Sequence, residues 1–202
     1  MPQAIVITGD IVDSTRLSPD RMEGVVAALQ AGAALLSEWV EQDTRFTRHR
    51  GDGWQICLPP VIAPLRAALT MRAALRQADR QAQSRMALAL GPVTLPATQD
   101  LNLAGGAGFV ESGRLLDRMP KGALIADARG GAEGAVAELA HHISDRWTPA
   151  QARAVLPMLA PDRPTQEQVA EDSGITRQAV RQALVAAGFP ALSTALDLLE
   201  AS

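Results

Sequence analysis

A short β-branched run near the N-terminus limits the fold more than any other feature of the sequence. The run Ala4-Ile5-Val6-Ile7-Thr8 is too short for an ordinary helix, and it ends at the turn-forming pair Gly9-Asp10. Its length and its flanks favour a buried strand. The chain must therefore contain a sheet, and the elements that follow this strand decide the fold class.

Helical and strand-like patterns alternate along the next part of the chain. Helices are predicted after Asp20, from about Ile62 to Gln81 and from Phe109 to Met119, and strands on both sides of Gly51-Asp52-Gly53 and at residues 86–90 and 123–126. The order is strand, helix, hairpin, helix, strand, helix, strand. It predicts an α+β fold in which helices cover one face of a mostly antiparallel sheet.

The pattern changes near residues 140–148. The glycine-rich segment 130–134 weakens any long helix before that point, whereas the pattern is entirely helical from Thr148 onward. We therefore predict two domains, an α+β domain over residues 1–140 and a small all-α domain over residues 148–202.

Composition disfavours several classes of protein. A net charge of −3 argues against a chain that coats nucleic acid by bulk charge. The six aromatic residues, none of them tyrosine, are too few for a platform of stacked bases. The single cysteine excludes an internal disulfide. Because no apolar run is long enough for a membrane span and no charged leader precedes the first strand, we expect a cytoplasmic protein without a membrane partner.

Two acidic turns form the candidate ligand site. Asp10 directly follows the first predicted strand, and Asp52 lies in the turn of the hairpin. Carboxylates at the ends of neighbouring strands can share one hard cation, with a backbone carbonyl such as that of Ile11 completing its shell. Mg²⁺ or Mn²⁺ held in this way also binds phosphate oxygens, so the pair predicts a nucleotide site. The alternative is that Asp10 caps a turn and Asp52 only favours its hairpin.

The residues after Asp10 extend this candidate site. Ser14 and Thr15 precede a predicted helix start, where free backbone N–H groups attract phosphates. Asp13 has two possible roles. It binds the metal or a water molecule beside the phosphate, or it caps the turn.

The motif Gly9-Asp10-Ile11-Val12-Asp13-Ser14-Thr15, followed by Gly51-Asp52-Gly53-Trp54 in the hairpin, resembles class III nucleotidyl cyclases. The segment from Gly106 to Arg114 is similar to a helix start in the SatD-like family of bacterial cyclase-related proteins. The resemblance covers residues 3–126. It implies a ferredoxin-like sheet.

The same resemblance implies roles for individual residues. Asp10 and Asp52 would hold the catalytic metals, and Arg114 would stabilise the transferring phosphate. The family builds its site across two chains, which implies a head-to-tail homodimer.

Two positions depart from the pattern of the cyclases. Val110 stands where the family has the asparagine that orients the ribose, and Arg48 stands where it has the lysine that reads adenine. Ribose positioning and adenine selectivity therefore do not carry over, and nucleotide binding is favoured over cyclisation. Arg48 and Arg50 alternate along a predicted strand, which makes either a solvated face or a phosphate clamp.

The chain from Thr165 to Leu184 predicts two short helices around a tight turn. Thr165 and Gln168 fit a capping box, Gly174 suits a positive φ, and Thr176 caps the second helix. An apolar seam is predicted between the helices, formed by Val169, Ile175, Val180 and Leu184. The segment resembles the helix-turn-helix of bacterial transcription regulators.

This second resemblance implies that double-stranded DNA is a partner. The second helix would enter the major groove and present Thr176, Arg177, Gln178, Arg181 and Gln182. From Thr148 onward, four arginines face six acidic residues, so a single copy would attract phosphates weakly and a homodimer is expected. The alternative is that the two helices serve only packing or dimerisation.

Three functions remain open on the sequence alone. The leading hypothesis is a DNA-binding transcriptional regulator with a degenerate cyclase-like domain that senses a nucleotide, a divalent metal, or both. The second is an active Mg²⁺- or Mn²⁺-dependent nucleotidyl cyclase or phosphohydrolase, although we do not expect an enzyme while Val110 occupies the ribose-orienting position. The third is a dimerisation scaffold.

Overall fold

A five-stranded sheet is the centre of the structure, a computed structural model that describes residues 1–49 and 51–201. The strands are β1 (Gln3–Ile11), β2 (Arg45–Arg48), β3 (Gly53–Leu58), β4 (Ser84–Pro92) and β5 (Ile125–Asp127). The helices are α1 (Pro19–Val40), α2 (Pro64–Ala78), α3 (Ala107–Arg118), α4 (Gly131–Asp145), α5 (Pro149–Met158), α6 (Gln166–Ser173), α7 (Arg177–Ala186) and α8 (Phe189–Glu200). Arg50, which is expected to share a strand face with Arg48, lies outside the described residues.

The strands are arranged in the order β2-β3-β1-β4-β5. β1 is antiparallel to both β3 and β4, β2 is antiparallel to β3, and β5 is parallel to β4. The succession β1, α1, β2, β3, α2, β4 with β1 inside the sheet is the split βαβ arrangement of ferredoxin-like folds. The predicted α+β class and the mostly antiparallel sheet are therefore confirmed.

Helices cover both faces of the sheet, whereas the sequence predicted cover on one face only. Ile5 and Ile7 of β1 belong to the large core cluster that also contains residues of α1 and α2. Val6 packs on the opposite face, in a second cluster with Phe109 of α3. The prediction was wrong because β1 is apolar at every position from Ala4 to Ile7, so both of its faces need cover.

Glycines let α3 approach the sheet closely. A Cβ on Gly108 would lie 3.1 Å from Cγ2 of Val6, and a Cβ on Gly91 of β4 would lie 3.1 Å from the backbone nitrogen of Gly108. Further along α3, the hydroxyl of Ser112 lies 2.8 Å from that of Thr8, within hydrogen-bonding distance. This contact fixes α3 beside the end of β1, where the candidate site begins.

α4 is longer than the sequence predicted. The glycine-rich segment was expected to weaken a helix, yet α4 runs without interruption over 15 residues. Gly130 and Gly131 have positive φ values of 65° and 55°, so they begin the helix rather than break it. Ala137 and Ala140 are buried in the large core cluster, and this packing supplies the stability that the glycines do not.

The C-terminal helices cover α2. Every residue of α2 from Pro64 to Arg76 is buried, and α5 packs along it. One cluster of buried residues includes Ile7 of the sheet, Val155 of α5 and Leu196 of α8, so residues 148–202 share a core with the sheet. The predicted first domain ends at residue 140, inside α4, and the predicted second domain begins at Thr148, directly before α5. The division of the chain into two domains stays a prediction.

No single helix in the described part of the chain is long and apolar enough to cross a membrane. α7 and α8 meet the length and composition of a span only when they are taken together, and they are bent by 72°. Gly188, with a positive φ of 68°, lies at the bend.

Candidate functional site

The two acidic turns meet at one edge of the sheet. In the β1–β3 ladder Asp10 is opposite Gly53, and the backbone N–H of Ile11 donates to the carbonyl oxygen of Asp52 at 3.1 Å. Asp10, Ile11 and Asp52 therefore line one open cleft of about 690 Å³. The structure brings the three predicted metal-site residues together, because the hairpin returns beside the C-terminal end of β1, where Asp10 lies.

The segment after Asp10 forms one wall of this cleft. Ser14 and Thr15 both line it, and the Ser14 hydroxyl donates to Oδ2 of Asp52 at 2.6 Å. Asp13 lies before them with a positive φ of 53°. The turn that contains Ser14 and Thr15 is a short 3-10 helix that ends at Arg16.

α1 does not start directly after Thr15, and its first residue is close to the start that the sequence predicts after Asp20. α1 begins only at Pro19, where the Ser18 hydroxyl accepts from the backbone N–H of Arg21 at 3.3 Å. The cap and the proline at the first helical position move the start to this point. No residue of the first turn of α1 is among those that line the cleft, so the N–H groups of that turn are not part of the cleft wall.

Arg85 is a residue of the cleft that the sequence did not suggest. It lies directly opposite Asp10 in the β1–β4 ladder, and its Nε donates to Oδ1 of Asp10 at 2.9 Å while Nη2 donates to Oδ2. The hydrogen bond to Asp10 raises the pKa of Arg85, and the charges of Asp10, Asp117 and Asp52 add to this effect although burial opposes it. The guanidinium therefore stays charged and neutralises Asp10.

The arrangement of these groups does not fit Mg²⁺ or Mn²⁺ as it stands. Carboxylates and a backbone carbonyl are suitable donors for such an ion. Both carboxylate oxygens of Asp10, however, accept from Arg85, and Oδ2 of Asp52 accepts from Ser14. Among the described residues, no three His, Cys, Asp or Glu side chains are grouped so that they could hold a metal ion. Arg85 occupies the role that the prediction gave to the metal.

Asp145, at the end of α4, also lines the cleft. Oδ1 of Asp145 accepts from Arg72 at 2.9 Å and from Gln83 at 3.0 Å, and Arg76 donates to the Asp145 carbonyl oxygen at 2.8 Å. Burial, together with the charge of Arg76, lowers the pKa of Arg72 to about 10. The exposed side chain of Lys121 lies in the same lining. Among the described residues that line the cleft, the cationic side chains are Arg85 and Lys121.

The other predicted nucleotide-binding residues lie away from the cleft. Arg48 is on β2, where its Nη1 donates to Oε1 of Glu23 at 2.7 Å. Arg114 is exposed on α3, and Val110 is 46% exposed on the same helix. Neither arginine is among the cleft-lining residues. One chain therefore brings together Asp10, Asp52, Ser14 and Thr15 but not Arg48 or Arg114.

The C-terminal pair of helices has the local geometry that the sequence indicates. Thr165 and Gln168 form a capping box, Gly174 has a φ of 65° at the end of α6, and the Thr176 hydroxyl accepts from the N–H of Ala179 at 3.1 Å. The seam between the helices is buried, as expected, at Val169, Val180 and Leu184. Ile175 was wrongly placed in this seam: it is 46% exposed because it lies in the turn itself.

The polar residues of α7 face solvent. Thr176, Arg177, Gln178, Arg181 and Gln182 are all exposed. Nε of Arg177 lies 2.8 Å from Oε1 of Glu167 on α6, and both side chains of this ion pair are more than half exposed. Such a pair is weak, so Arg177 is free to exchange its partner.

Comparison with known proteins identifies no family. No family model matches the chain, and no curated protein matches it. Among solved structures, the chain is similar to the catalytic core of a rhodopsin-guanylyl cyclase with converted specificity in complex with ATPalphaS. The similarity has a TM-score of 0.40 and an identity of 17%, and it covers 58% of this chain and 72% of that chain. A TM-score of this size is too low to assign a fold or a residue, so both rest on the topology and geometry of this chain.

Proposed function

We propose that the protein is a DNA-binding transcriptional regulator whose α+β part binds a nucleotide without turning it over. The observation that carries the nucleotide part is the convergence of both acidic turns on one open cleft that also presents Arg85 and Lys121. Phosphate oxygens are the natural ligands of a cation such as Lys121, and a hydroxyl such as that of Thr15, which lines the same cleft, can add a hydrogen bond. The cleft is large enough for a small-molecule ligand.

Binding is favoured over catalysis by the placement of the charged groups. Transfer of a phosphoryl group needs cations aimed at the charge that develops in the transition state. Arg114, the predicted transfer residue, is exposed on α3 and does not line the cleft of its own chain. Asp10 is neutralised by Arg85. A cyclase reaction would require a partner chain to supply Arg114.

The nucleotide part is tested by calorimetric titration with ATP, GTP and cyclic nucleotides. We expect heat with at least one of them, and we expect Lys121→Ala to weaken that affinity roughly tenfold because a charge-assisted hydrogen bond is lost. Arg118→Ala is the matched control, since it removes an exposed cation of α3 that does not line the cleft. Absence of heat with every nucleotide, or equal losses in the two variants, contradicts the proposal.

The DNA part of the proposal depends on α7. Its buried side, with Val180 and Leu184, packs in the core, while the opposite side exposes two arginines and two glutamines. Arginine and glutamine are the side chains that read guanine and adenine edges in the major groove. The acidic balance of the C-terminal segment makes a single copy a weak binder, so the proposal includes a homodimer that doubles the contacts.

Retardation of double-stranded DNA fragments tests this part. Arg181→Ala is expected to weaken binding roughly tenfold, and Arg177→Ala/Arg181→Ala by more, because each arginine supplies a base or phosphate contact. Arg153→Ala removes an exposed arginine of α5 and serves as the control. Equal retardation by the wild type and the double variant would show that α7 does not contact the DNA.

A further inference from the structure

The C-terminal end of α4 reaches both the cleft and α7. Asp145, the last residue of α4, lines the cleft, and its side chain is 43% exposed there. Two residues later, Trp147 is buried, and its Nε1 donates to the carbonyl oxygen of Ala187 at 2.8 Å. Ala187 is the C-cap residue of α7. A stretch of three residues therefore joins the wall of the cleft to the helix that carries the proposed DNA contacts.

A second contact links the same end of α4 to the end of α7. Gly188 follows α7 with a positive φ of 68°. It lies so close to α4 that a Cβ on it would be 2.7 Å from Cγ2 of Ile143. Because such packing leaves no gap between the two segments, a shift of the end of α4 must be passed on to the junction of α7 and α8.

The segment between Asp145 and α5 has little freedom of its own. The backbone N–H of Trp147 donates to the Ser144 carbonyl oxygen at 3.2 Å, and the next residue, Thr148, forms a capping box with Gln151 of α5. Ser144 and Trp147 are both buried. A displacement of Asp145 is therefore not absorbed by a flexible loop, and it reaches the Trp147 indole.

Asp145 is the group through which a ligand in the cleft acts on this segment. Its Oδ1 accepts from Arg72 at 2.9 Å and from Gln83 at 3.0 Å. Lys121, to which the proposed function assigns phosphate oxygens, lines the same cleft. A phosphate group bound there has the same sign of charge as the Asp145 carboxylate and repels it. This difference in interaction energy favours a state in which Asp145 is displaced, and a ligand shifts an equilibrium only through such a difference.

On the premise of the proposed function, we infer that the end of α4 couples the two sites: a nucleotide in the cleft displaces Asp145, releases the Trp147 indole from Ala187 and weakens the binding of α7 to DNA. The two states differ in whether the C-terminal end of α7 is held against the core. The held state presents α7 in a fixed position to the major groove, and the released state does not. Trp147 is a positioning residue, because it lies outside the lining of the cleft and outside α7.

Retardation of double-stranded DNA tests this coupling, with ATP, GTP or a cyclic nucleotide added according to which of them gives heat in the calorimetric titration. In the wild type we expect the nucleotide to weaken DNA binding about tenfold, and DNA to weaken nucleotide binding by the same factor. Trp147→Phe removes the indole donor. It should bind DNA as weakly as the nucleotide-saturated wild type and show no further response to the nucleotide. Trp39→Phe is the matched control, since Trp39 lies on α1 away from the cleft lining, and it should keep the tenfold response.

Asp145→Asn tests the other end of the segment. Asparagine keeps an oxygen that can accept from Arg72 but loses the charge that a phosphate repels. This variant should bind the nucleotide at least as tightly as the wild type, and the nucleotide should not weaken its binding to DNA. If Trp147→Phe does not fold, which circular dichroism reports, Asp145→Asn alone decides.

The coupling is overturned if the Trp147→Phe or Asp145→Asn protein keeps the tenfold response. A Trp147→Phe protein in which the indole serves stability alone would give that result, because it would bind DNA more weakly and still respond to the nucleotide. Binding of nucleotide and DNA to the wild type without mutual effect removes the coupling alone. When the wild type binds no nucleotide or no DNA, the proposed function fails and the coupling fails with it.

Discussion

Glu200→Ala is expected to lower the free energy of unfolding by about 3 kcal/mol, because it removes the carboxylate that pairs through two hydrogen bonds with a buried arginine. The Arg66 side chain is 2% exposed. Its Nε and Nη2 donate to the two oxygens of Glu200, each at 2.6 Å, and its Nη1 donates to the Leu159 carbonyl oxygen at 2.9 Å. Truncation of Glu200 removes two of these three bonds and leaves the buried charge to the more distant Asp197, whose Oδ1 is 3.8 Å from Nη2 of Arg66.

Urea denaturation measures this loss, and a surface ion pair supplies its control. Glu167→Ala breaks the exposed pair with Arg177 and should change the free energy of unfolding by less than about 1 kcal/mol. Arg66→Met/Glu200→Leu should recover much of the loss, since a buried pair replaced by apolar groups leaves no unpaired charge. Equal effects of Glu200→Ala and Glu167→Ala would show that the Arg66 pair is not buried in solution.

The contribution of the Arg66–Glu200 pair to the free energy of unfolding depends on pH. Burial raises the pKa of Glu200, but the hydrogen bonds from Arg66 and from the N–H of Ala63 outweigh it and hold the pKa below its ordinary value of 4.5. A carboxyl group with a lowered folded-state pKa stabilises the fold above its unfolded pKa and loses that contribution as the pH falls through the folded value. The difference in the free energy of unfolding between the wild type and Glu200→Ala should therefore be largest at neutral pH and should shrink below about pH 4.5.

Local features of this chain could be predicted from its sequence, whereas contacts between distant segments could not. The strand after Pro2, the hairpin around Asp52 and the caps at Thr165 and Thr176 each depend on residues close together in the chain, and each is present. The position of α3 depends on which face of β1 remains uncovered, and that is decided by packing. α4 also depends on packing, because the stability gained by burying its alanines outweighs the low helix propensity of its glycines.

In the candidate site, too, the residues in local turns could be predicted from the sequence and the contacts between distant segments could not. Asp10 and Asp52 were predictable because each stands next to a glycine where a strand pattern ends, although the structure extends β1 to Ile11 and so includes Asp10 in the strand. Arg85 was not, because its pairing with Asp10 is set by strand register between segments 75 residues apart. Asp145 reaches the cleft through the packing of α4 against β5 and α2, and the hydrophobic periodicity of the sequence does not predict such packing. Charge balance in a cleft is a property of the folded chain, so the neutralised state of Asp10 could be found only there.

Gly9→Ala is expected to destabilise the fold by about 3 kcal/mol, because the indole of Trp54 lies directly over this glycine. A Cβ at position 9 would be 2.5 Å from two ring carbons of Trp54 and 2.7 Å from the carbonyl oxygen of Arg85. Trp54 is 1% exposed and its Nε1 donates to the Ser84 hydroxyl at 2.8 Å, so the ring cannot move aside without breaking that bond. The strain falls on the two strands that pair Asp10 with Arg85.

Gly24→Ala provides a control of opposite sign. Gly24 lies within α1, and a Cβ there would meet nothing within 4 Å. Alanine should therefore raise the free energy of unfolding by up to about 1 kcal/mol through its helix propensity. Urea midpoints with unchanged slopes measure both variants, and near-ultraviolet circular dichroism reports whether the Trp54 environment changes in Gly9→Ala. A Gly9→Ala protein as stable as the wild type, with an unchanged tryptophan signal, would contradict the close packing of β1 against Trp54 on which the geometry of the cleft depends.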